Sequence, residues 1–122
     1  MFVTMKESLL VDALAKVVRV VAKDTMIPIL NCIKMVVTYE AVIFTGSDTQ
    51  TSIEVTIPAD KENGVVVEKT GSIVLPLVFN NIVRKLRGDI IIQTNDLIAT
   101  IKAGESKFEV NGMDAEEYPR ST

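Results

Sequence analysis

Two segments of the chain repeat apolar residues at steps of three and four positions, the spacing that places them on one face of an α-helix. Residues 9–23 do so with leucine, valine and alanine, and Ser8 before them is a side chain typical of a helix N-cap. Residues 76–87 do so around one phenylalanine, with Pro76 where a first helical turn tolerates proline and Gly88 just past the end. The pattern therefore predicts two amphipathic helices.

The remaining apolar positions form short, β-branched segments in which apolar and polar residues alternate, as is typical of half-buried strands. Ile53, Val55 and Ile57, for example, alternate with polar side chains. The predicted strands cover residues 29–38, 41–46, 52–57, 65–69, 71–75, 89–94, 97–102 and 107–111. Together with the two helices they predict an α+β fold that has more strand than helix.

With the residues before the first helix counted as a further strand, the order of one strand, one helix and three strands occurs twice, in residues 2–58 and again in residues 71–111. Within this order, Gly46 and the strand after it resemble Gly104 and the strand after that one. We therefore predict an internal two-fold repeat, (βαβββ)×2, in which the two helices pack side by side against antiparallel sheets.

The composition excludes several classes of active site. With 122 residues, 48% of them hydrophobic and 24% charged, the chain is typical of one globular domain. It has no histidine, which excludes a Ser-His-Asp triad, a Cys-His pair and a histidine-ligated zinc. Cys32 is the single cysteine, so an internal disulfide is excluded as well. Because the N-terminus shows neither a secretory signal nor a membrane span, we expect a cytoplasmic protein without membrane contact.

The net charge of −3 is unevenly distributed along the chain. Residues 9–23 hold three basic residues and one acidic residue, residues 76–87 hold three basic residues and no acidic one, and the rest holds 7 basic and 15 acidic residues. Lys16, Arg19 and Lys23 form a stripe opposite the apolar face of the first helix. This distribution is consistent with solvated helix faces, or with a cationic surface for a phosphate backbone beside an acidic remainder that repels it.

Other residues that can carry chemistry have ordinary structural interpretations. Asp114, Glu116 and Glu117 lie close together, and clustered carboxylates can hold Mg²⁺ for nuclease chemistry. No second cluster accompanies them, so a solvated acidic segment is preferred, and we expect no metal and no cofactor. Asp48 is interpreted as a turn residue that bonds its own backbone, and Cys32 as a small core residue.

Four sequence motifs, in their order and spacing, resemble one known family. They are Thr-Met-Ile-Pro-Ile-Leu at residues 25–30, Thr-Gly-Ser-Asp at residues 45–48, Gly-Ser-Ile-Val-Leu-Pro at residues 71–76 and Phe-Glu-Val-Asn-Gly-Met-Asp-Ala-Glu-Glu-Tyr-Pro at residues 108–119. On these residues the chain resembles the N-terminal domain of the bacterial sliding clamps, the β subunits of DNA polymerase III, from near Met1 to Pro119.

The resemblance implies a DNA-clamp fold and a non-catalytic role. Subunits of this family carry three such domains, and two subunits close head to tail into a homodimeric ring around double-stranded DNA. The ring holds DNA without sequence specificity and confers processivity on the replicative polymerase, which, like the clamp loader, docks on later domains. By this resemblance the DNA-facing residues are Lys16, Arg19, Lys23, Arg84, Lys85 and Arg87. For the subunit-interface edge we expect the residues Lys107, Phe108, Glu109 and Val110.

Three departures from the family pattern leave a second interpretation open. Asp24 stands where many members have arginine, and Arg87 stands where proline is usual. The chain ends about where a linker to a second domain would begin, so we expect residues 1–119 to form the domain and residues 120–122 to start the linker. The alternative is a divergent or truncated paralogue that acts as a protein-interaction module with little DNA contact.

Overall fold

A computed structural model describes residues 1–21, 28–48 and 50–119. Over these ranges the chain forms two α-helices, α1 (Glu7–Val17) and α2 (Val78–Val83), and two 3-10 helices, at Pro28–Asn31 and Ala115–Glu117. The strands of the same ranges are β1 (Phe2–Lys6), β2 (Cys32–Val37), β3 (Ala41–Ser47), β4 (Ser52–Pro58), β5 (Val66–Lys69), β6 (Gly71–Pro76), β7 (Asp89–Asn95), β8 (Ile98–Ala103) and β9 (Ser106–Asn111).

The strands form two antiparallel sheets whose order reveals an exchange between the two halves of the chain. One sheet runs β5-β1-β7-β8-β9 and the other runs β4-β3-β2-β6. The first strand of each half therefore lies in the sheet of the other half: β1 pairs with β7, and β6 pairs with β2. The predicted α+β fold and its (βαβββ)×2 repeat are confirmed, and this exchange ties the halves into one domain.

Helix α1 is stabilised because the apolar residues on one of its faces pack against both sheets. Leu10, Ala13, Leu14 and Val17 are buried at the predicted helical spacing. The end of the helix lies very close to β3, because a Cβ atom on Gly46 would come within 2.6 Å of the Val17 carbonyl oxygen. Only a residue without a side chain permits this approach.

Helix α2 is shorter and packs beside α1. It buries Phe79 and Val83, and Leu86 in the following turn is buried with them. These side chains join one apolar cluster with α1 and with the inward residues of both sheets, such as Phe44 of β3 and Ile92 of β7. The helices therefore cover one side of the two sheets, which together are called the strand layer below, as the repeat predicted.

Both helices are shorter than the sequence pattern predicted. The first ends at Val17 instead of residue 23, within a run of valines whose branched side chains disfavour helix. Ser8 lies inside the first turn, and the N-cap is Lys6, which makes no side-chain capping bond, so the predicted cap was wrong. Pro76 is the last residue of β6 instead of a helix residue, which is possible because β6 is an edge strand that can accept proline.

The residues after β9 cross to the other sheet and cover part of its outer face. Met113 exchanges backbone hydrogen bonds of 2.8 and 2.9 Å with Val74 of β6. The Asp114 carboxylate then accepts a 2.9 Å bond from the Glu116 amide and so caps the second 3-10 helix. A second, smaller apolar cluster forms here from Cys32, Val74, Ala115 and Tyr118.

Candidate nucleic-acid interface

Two basic side chains of the first helical segment, those of Lys16 and Arg19, lie on the solvent-exposed side of the described chain. Lys16 belongs to the last turn of α1, and Arg19 lies in the turn that follows it; both are exposed. The Lys16 ammonium nitrogen lies 3.2 Å from a carboxylate oxygen of Asp12, one helical turn earlier, so part of its charge is balanced locally. Lys23 and Asp24 lie outside the described residues.

The basic side chains of the second segment follow the end of α2. Arg84 is the C-cap of this helix and Lys85 follows it, and both are exposed. Within the described part of the chain neither forms an ion pair with a carboxylate. Their positive charges also lie near the carbonyl end of the helix, which favours cations. Like Arg19, these two residues carry positive charge that no carboxylate of the described residues balances in an ion pair.

Arg87 is placed differently from the other basic residues. Its guanidinium donates a 2.9 Å hydrogen bond to the Leu86 carbonyl and a 3.4 Å bond to the Arg84 carbonyl. The same nitrogen lies 3.9 Å from a carboxylate oxygen of Glu7, the first residue of α1. Arg87 therefore faces its own turn and the neighbouring helix, although 79% of its side chain remains exposed.

The pairing of β1 with β7 determines how the two helices meet. Lys6 pairs with Asp89, so α1 begins where the turn after α2 ends, and the Glu7 amide donates a 2.9 Å bond to the Gly88 carbonyl. Helix α1 leads away from this junction and α2 leads toward it. Lys16 lies nine residues beyond Glu7, roughly 14 Å along the helix axis. The two groups of basic residues are thus spread over the surface of the helix pair.

The exposed acidic residues lie mainly on the strand layer and its connections. Outside the two α-helices they are Glu40, Glu54, Asp60, Glu62, Glu68, Asp89, Asp96, Glu105, Glu109, Asp114, Glu116 and Glu117. Because the buried faces of both helices contact the sheets, their exposed faces point away from the strand layer. The molecule therefore has a basic helix side and an acidic strand side.

Two of the acidic residues that could carry other chemistry have structural roles: Asp48 in a turn and Asp114 at the cap of the second 3-10 helix. Asp48 accepts hydrogen bonds of 2.7 and 2.6 Å from the Gln50 and Thr51 amides, as predicted for a turn residue. These bonds hold the pKa of the Asp48 carboxyl below its ordinary value. Among the described residues no group of three or more carboxylates, cysteines or histidines is arranged to hold a metal ion.

Tyr118 is the buried polar side chain that sequence reasoning missed. Its ring is 3% exposed within the second apolar cluster, and its hydroxyl makes no hydrogen bond to the described residues. Burial, followed by the neighbouring Cys32, raises the pKa of Tyr118 to about 12. Burial also raises the pKa of the Cys32 thiol, which is consistent with its predicted place in an apolar cluster. No apolar periodicity surrounds Tyr118 that could have indicated its burial.

The predicted edge residues lie on β9, which is an edge strand of its sheet. Val110 is 6% exposed and packs into the main core, whereas Phe108, two residues earlier on the same face, is 37% exposed. Lys107 and Glu109 point to the other face and are exposed. The strand thus offers unpaired backbone groups next to a partly uncovered aromatic ring. Its part in subunit contact stays a prediction.

Of the helices in the described ranges, none has the length and apolar character needed to cross a membrane. The described geometry instead presents two features of interest: the basic helix surface and the β9 edge.

Comparisons with known proteins agree with this architecture. A sequence profile described as "DNA polymerase III beta subunit, N-terminal domain" matches residues 1–122. The beta sliding clamp of Bacillus subtilis is 42% identical over 124 aligned positions, which cover 95% of this chain and 32% of that protein. The beta sliding clamp of Staphylococcus aureus is 39% identical over 121 positions, again 95% of this chain and 32% of that protein.

The solved structures give the same result for the fold. The crystal structure of the DNA polymerase sliding clamp from Bacillus subtilis superposes with a TM-score of 0.96 and 38% identity, over 100% of this chain and 33% of that one. The chain thus spans about a third of the length of the relatives that it matches.

Proposed function

The chain belongs to the family of DNA polymerase III beta subunits, matching their N-terminal domain, and from this premise we propose that it is the first domain of a sliding clamp. Such a clamp encircles duplex DNA without sequence specificity and makes the replicative polymerase processive. The division of charge between the helix side and the strand side of the molecule carries this proposal.

The charge division suits a ring through which DNA slides. Phosphate oxygens attract Lys and Arg whatever the base sequence, so contacts limited to the backbone allow movement along the duplex. An acidic outer side reduces binding in any other orientation. The helix surface can attract phosphate oxygens because it carries exposed basic side chains. Lys16 and Arg19 lie on and after α1, and Arg84 and Lys85 follow α2.

We propose the predicted basic residues as the DNA-facing set. Lys16, Arg19, Arg84 and Lys85 are supported by their exposure on the helix side of the molecule. Lys23 is retained on the sequence pattern alone. Arg87 adds charge to the same surface without a phosphate contact of its own, because its guanidinium is directed toward Glu7.

The proposed role is that of a non-catalytic subunit. Residues 1–119 form the domain and residues 120–122 start a linker to further domains, on which the polymerase and the clamp loader dock. Two subunits join head to tail, with the β9 edge at Lys107, Phe108, Glu109 and Val110 as the contact of this domain. The protein acts in the cytoplasm, where the bacterial chromosome is replicated.

The test of this function is a chimera in which the present domain replaces the matching first third of the Bacillus subtilis clamp. Loaded onto duplex DNA with both ends blocked, the chimera should be retained for many minutes. On the same DNA with open ends it should leave within the time of sliding. Equal retention on both DNAs would contradict a topological clamp, and equal loss from both would show that the ring does not close.

The alternative, a protein-interaction module, draws support from one observation. Of the five basic residues of the helix surface that lie within the described ranges, Lys16 and Arg87 already face carboxylates of Asp12 and Glu7. In this alternative, replacing Arg84 and Lys85 by glutamine leaves the function of the chimera intact, whereas Phe108→Asp abolishes it. A clamp that depends on both surfaces loses retention in both variants.

A further inference from the structure

The turn that carries Arg84 and Lys85 has little backbone support of its own. Helix α2 is six residues long and ends at Val83. Beyond it the Arg84 amide still makes one α-helical bond, to the Asn80 carbonyl at 3.2 Å. The next backbone bonds span only three residues, from the Lys85 amide to the Ile82 carbonyl at 3.0 Å and from the Leu86 amide to the Val83 carbonyl at 3.1 Å. Bonds of this 3-10 type have poorer geometry than α-helical bonds, so such a turn is easily distorted.

The Arg87 side chain, at the end of this turn, folds back and contacts the backbone of the turn. Its guanidinium donates to the carbonyls of Leu86 and Arg84, at 2.9 and 3.4 Å, two oxygens that the short helix leaves with few partners. The same group lies 3.9 Å from the Glu7 carboxylate at the start of α1. One side chain thus contacts both helical segments of the proposed DNA surface.

The backbone joins the two segments at the same point. The Glu7 amide donates to the Gly88 carbonyl at 2.9 Å, and Gly88 has a φ of +80°, which side-chain-bearing residues rarely adopt. The chain thereby turns sharply from the α2 segment into β7, directly beside the first residue of α1. Arg87 and Gly88 together form a junction between the two basic segments.

We propose that Arg87 is a positioning residue that braces the Arg84–Lys85 turn against the start of α1. Through this brace it directs Arg84 and Lys85 toward DNA, while its own guanidinium is engaged with carbonyl and carboxylate oxygens. This inference rests on the proposed function of the helix surface. It also accounts for arginine at a position where the family pattern has proline, which holds a turn rigid by a different means.

Two substitutions separate bracing from direct phosphate contact. Arg87→Lys keeps the charge, but the lysine side chain is one bond shorter and does not reach the position of Nη1, the atom that makes all three contacts of Arg87. Glutamine at position 7 removes a negative charge, which strengthens DNA binding if Arg87 contacts phosphate. The same change weakens DNA binding if Glu7 serves to hold Arg87 in place.

The experiment makes two measurements on the 122-residue protein. The first is the affinity for a 20-base-pair duplex at several salt concentrations. The second is the rate of hydrogen exchange of the Glu7 and Leu86 amides. Arg87→Gln, Arg87→Lys and Glu7→Gln should each weaken binding about two- to threefold and accelerate exchange of the Glu7 amide. The salt dependence should stay within about 0.3 of the parent slope, because no phosphate contact is lost. The Glu7→Gln/Arg87→Gln double variant should be no weaker than the weaker single variant.

A different pattern overturns the brace. A slope reduced by about 0.9 in Arg87→Gln, with normal binding in Arg87→Lys and tighter binding in Glu7→Gln, shows a direct phosphate contact. Unchanged exchange in both Arg87 variants shows that no brace exists. Failure of the proposed function looks different, because Arg84→Gln/Lys85→Gln then leaves the salt slope unaltered while the exchange measurement still reports on Arg87.

Discussion

The two halves of the molecule share an order of elements but hold their helices differently. In the first half, α1 has 11 residues and its end packs against Gly46 of β3, where a Cβ atom would meet Val17. In the second half, α2 has six residues and is followed by a turn that Arg87 closes. Gly104, which resembles Gly46 in sequence, lies in a turn at a φ of +58° with nothing within 4 Å of a Cβ atom.

The difference shows that a repeated topology does not repeat the packing that stabilises it. Strand exchange gives both halves the same sheet order. Through the pairing of β1 with β7, α1 begins at the point where the α2 segment ends. Both helices bury an apolar face, but the end of the first also packs closely against the backbone of β3, whereas the end of the second makes polar contacts through Arg87. We expect the first arrangement to contribute more to stability and the second to place charge where DNA can reach it.

The largest expected effect is on the packing of α1 against β3. Gly46→Ala should lower the free energy of unfolding by about 3 kcal/mol, because the added methyl group meets a backbone oxygen that cannot move without shifting α1. Urea denaturation measures the loss. Gly104→Ala is the matched control and should lose only about 1 kcal/mol, from its left-handed backbone. Equal losses would show that Gly46 and Gly104 serve the same purpose in the two halves.

The second effect concerns the cluster where β2 and β6 of the two halves meet. The pKa of Tyr118 rises from 10.0 to about 12 in the folded protein, so the unfolded chain loses this proton first as the pH rises. Stability attributable to Tyr118 is therefore constant below pH 10. It should fall between pH 10 and pH 12 by at most about 2.7 kcal/mol.

Tyr118→Phe provides the control for this pH dependence. The variant should lack the alkaline loss that the parent protein shows. At neutral pH it should be about 1 kcal/mol more stable, because it removes a buried hydroxyl without a hydrogen bond to the described residues. A parallel alkaline decline in both proteins would indicate that other groups, and not Tyr118, govern it.

The third effect sharpens the difference in charge between the two halves. Arg84→Gln/Lys85→Gln should weaken binding of the chain to a 20-base-pair duplex about tenfold at 0.1 M salt. The salt slope should fall by about 1.8, or 0.9 for each phosphate contact. Lys61→Gln/Lys102→Gln removes the same charge from exposed strand-side positions and should change affinity less than twofold. Similar losses in the two double variants would mean that net charge alone sets affinity.

The smallest effect concerns the acid on α1. Asp12→Asn should tighten DNA binding about two- to threefold, because it releases Lys16 from the 3.2 Å pair. It should also cost about 0.3 kcal/mol of stability through loss of an exposed i, i+4 ion pair. Fluorescence anisotropy and thermal melting measure the two changes. Glu68→Gln on β5 is the control, and equal tightening there would remove any special role for Asp12.

Much of this fold follows from residue patterns of short range. The spacing of Leu10, Ala13, Leu14 and Val17 specifies a buried helix face, and alternation in β4 specifies a strand, since both depend on neighbours within a few residues. Helix ends were predicted less well. The end of α1 depends on valine branching and on packing against Gly46, and the start of α2 depends on an edge position for Pro76, which only the sheet order reveals.

In the candidate site, too, features that depend on neighbouring residues were predicted, and features that depend on distant residues were not. Charge counting along the sequence located the basic residues of both helices, because these residues lie within two short segments. It did not indicate that Arg87 turns toward Glu7, because these residues are 80 positions apart and meet only through the pairing of β1 with β7. Burial of Tyr118 likewise depends on the crossing of residues 112–119 to the other sheet.

The most direct test of a DNA-facing helix pair is a map of amide chemical-shift changes when a 20-base-pair duplex is added to the 122-residue protein. The changes should concentrate at Lys16, Arg19, Arg84 and Lys85 and should diminish with salt, while β4 and β8 stay unaffected. Changes concentrated on the strand side or along β9, with the helix amides unmoved, would contradict the assignment of this surface to DNA.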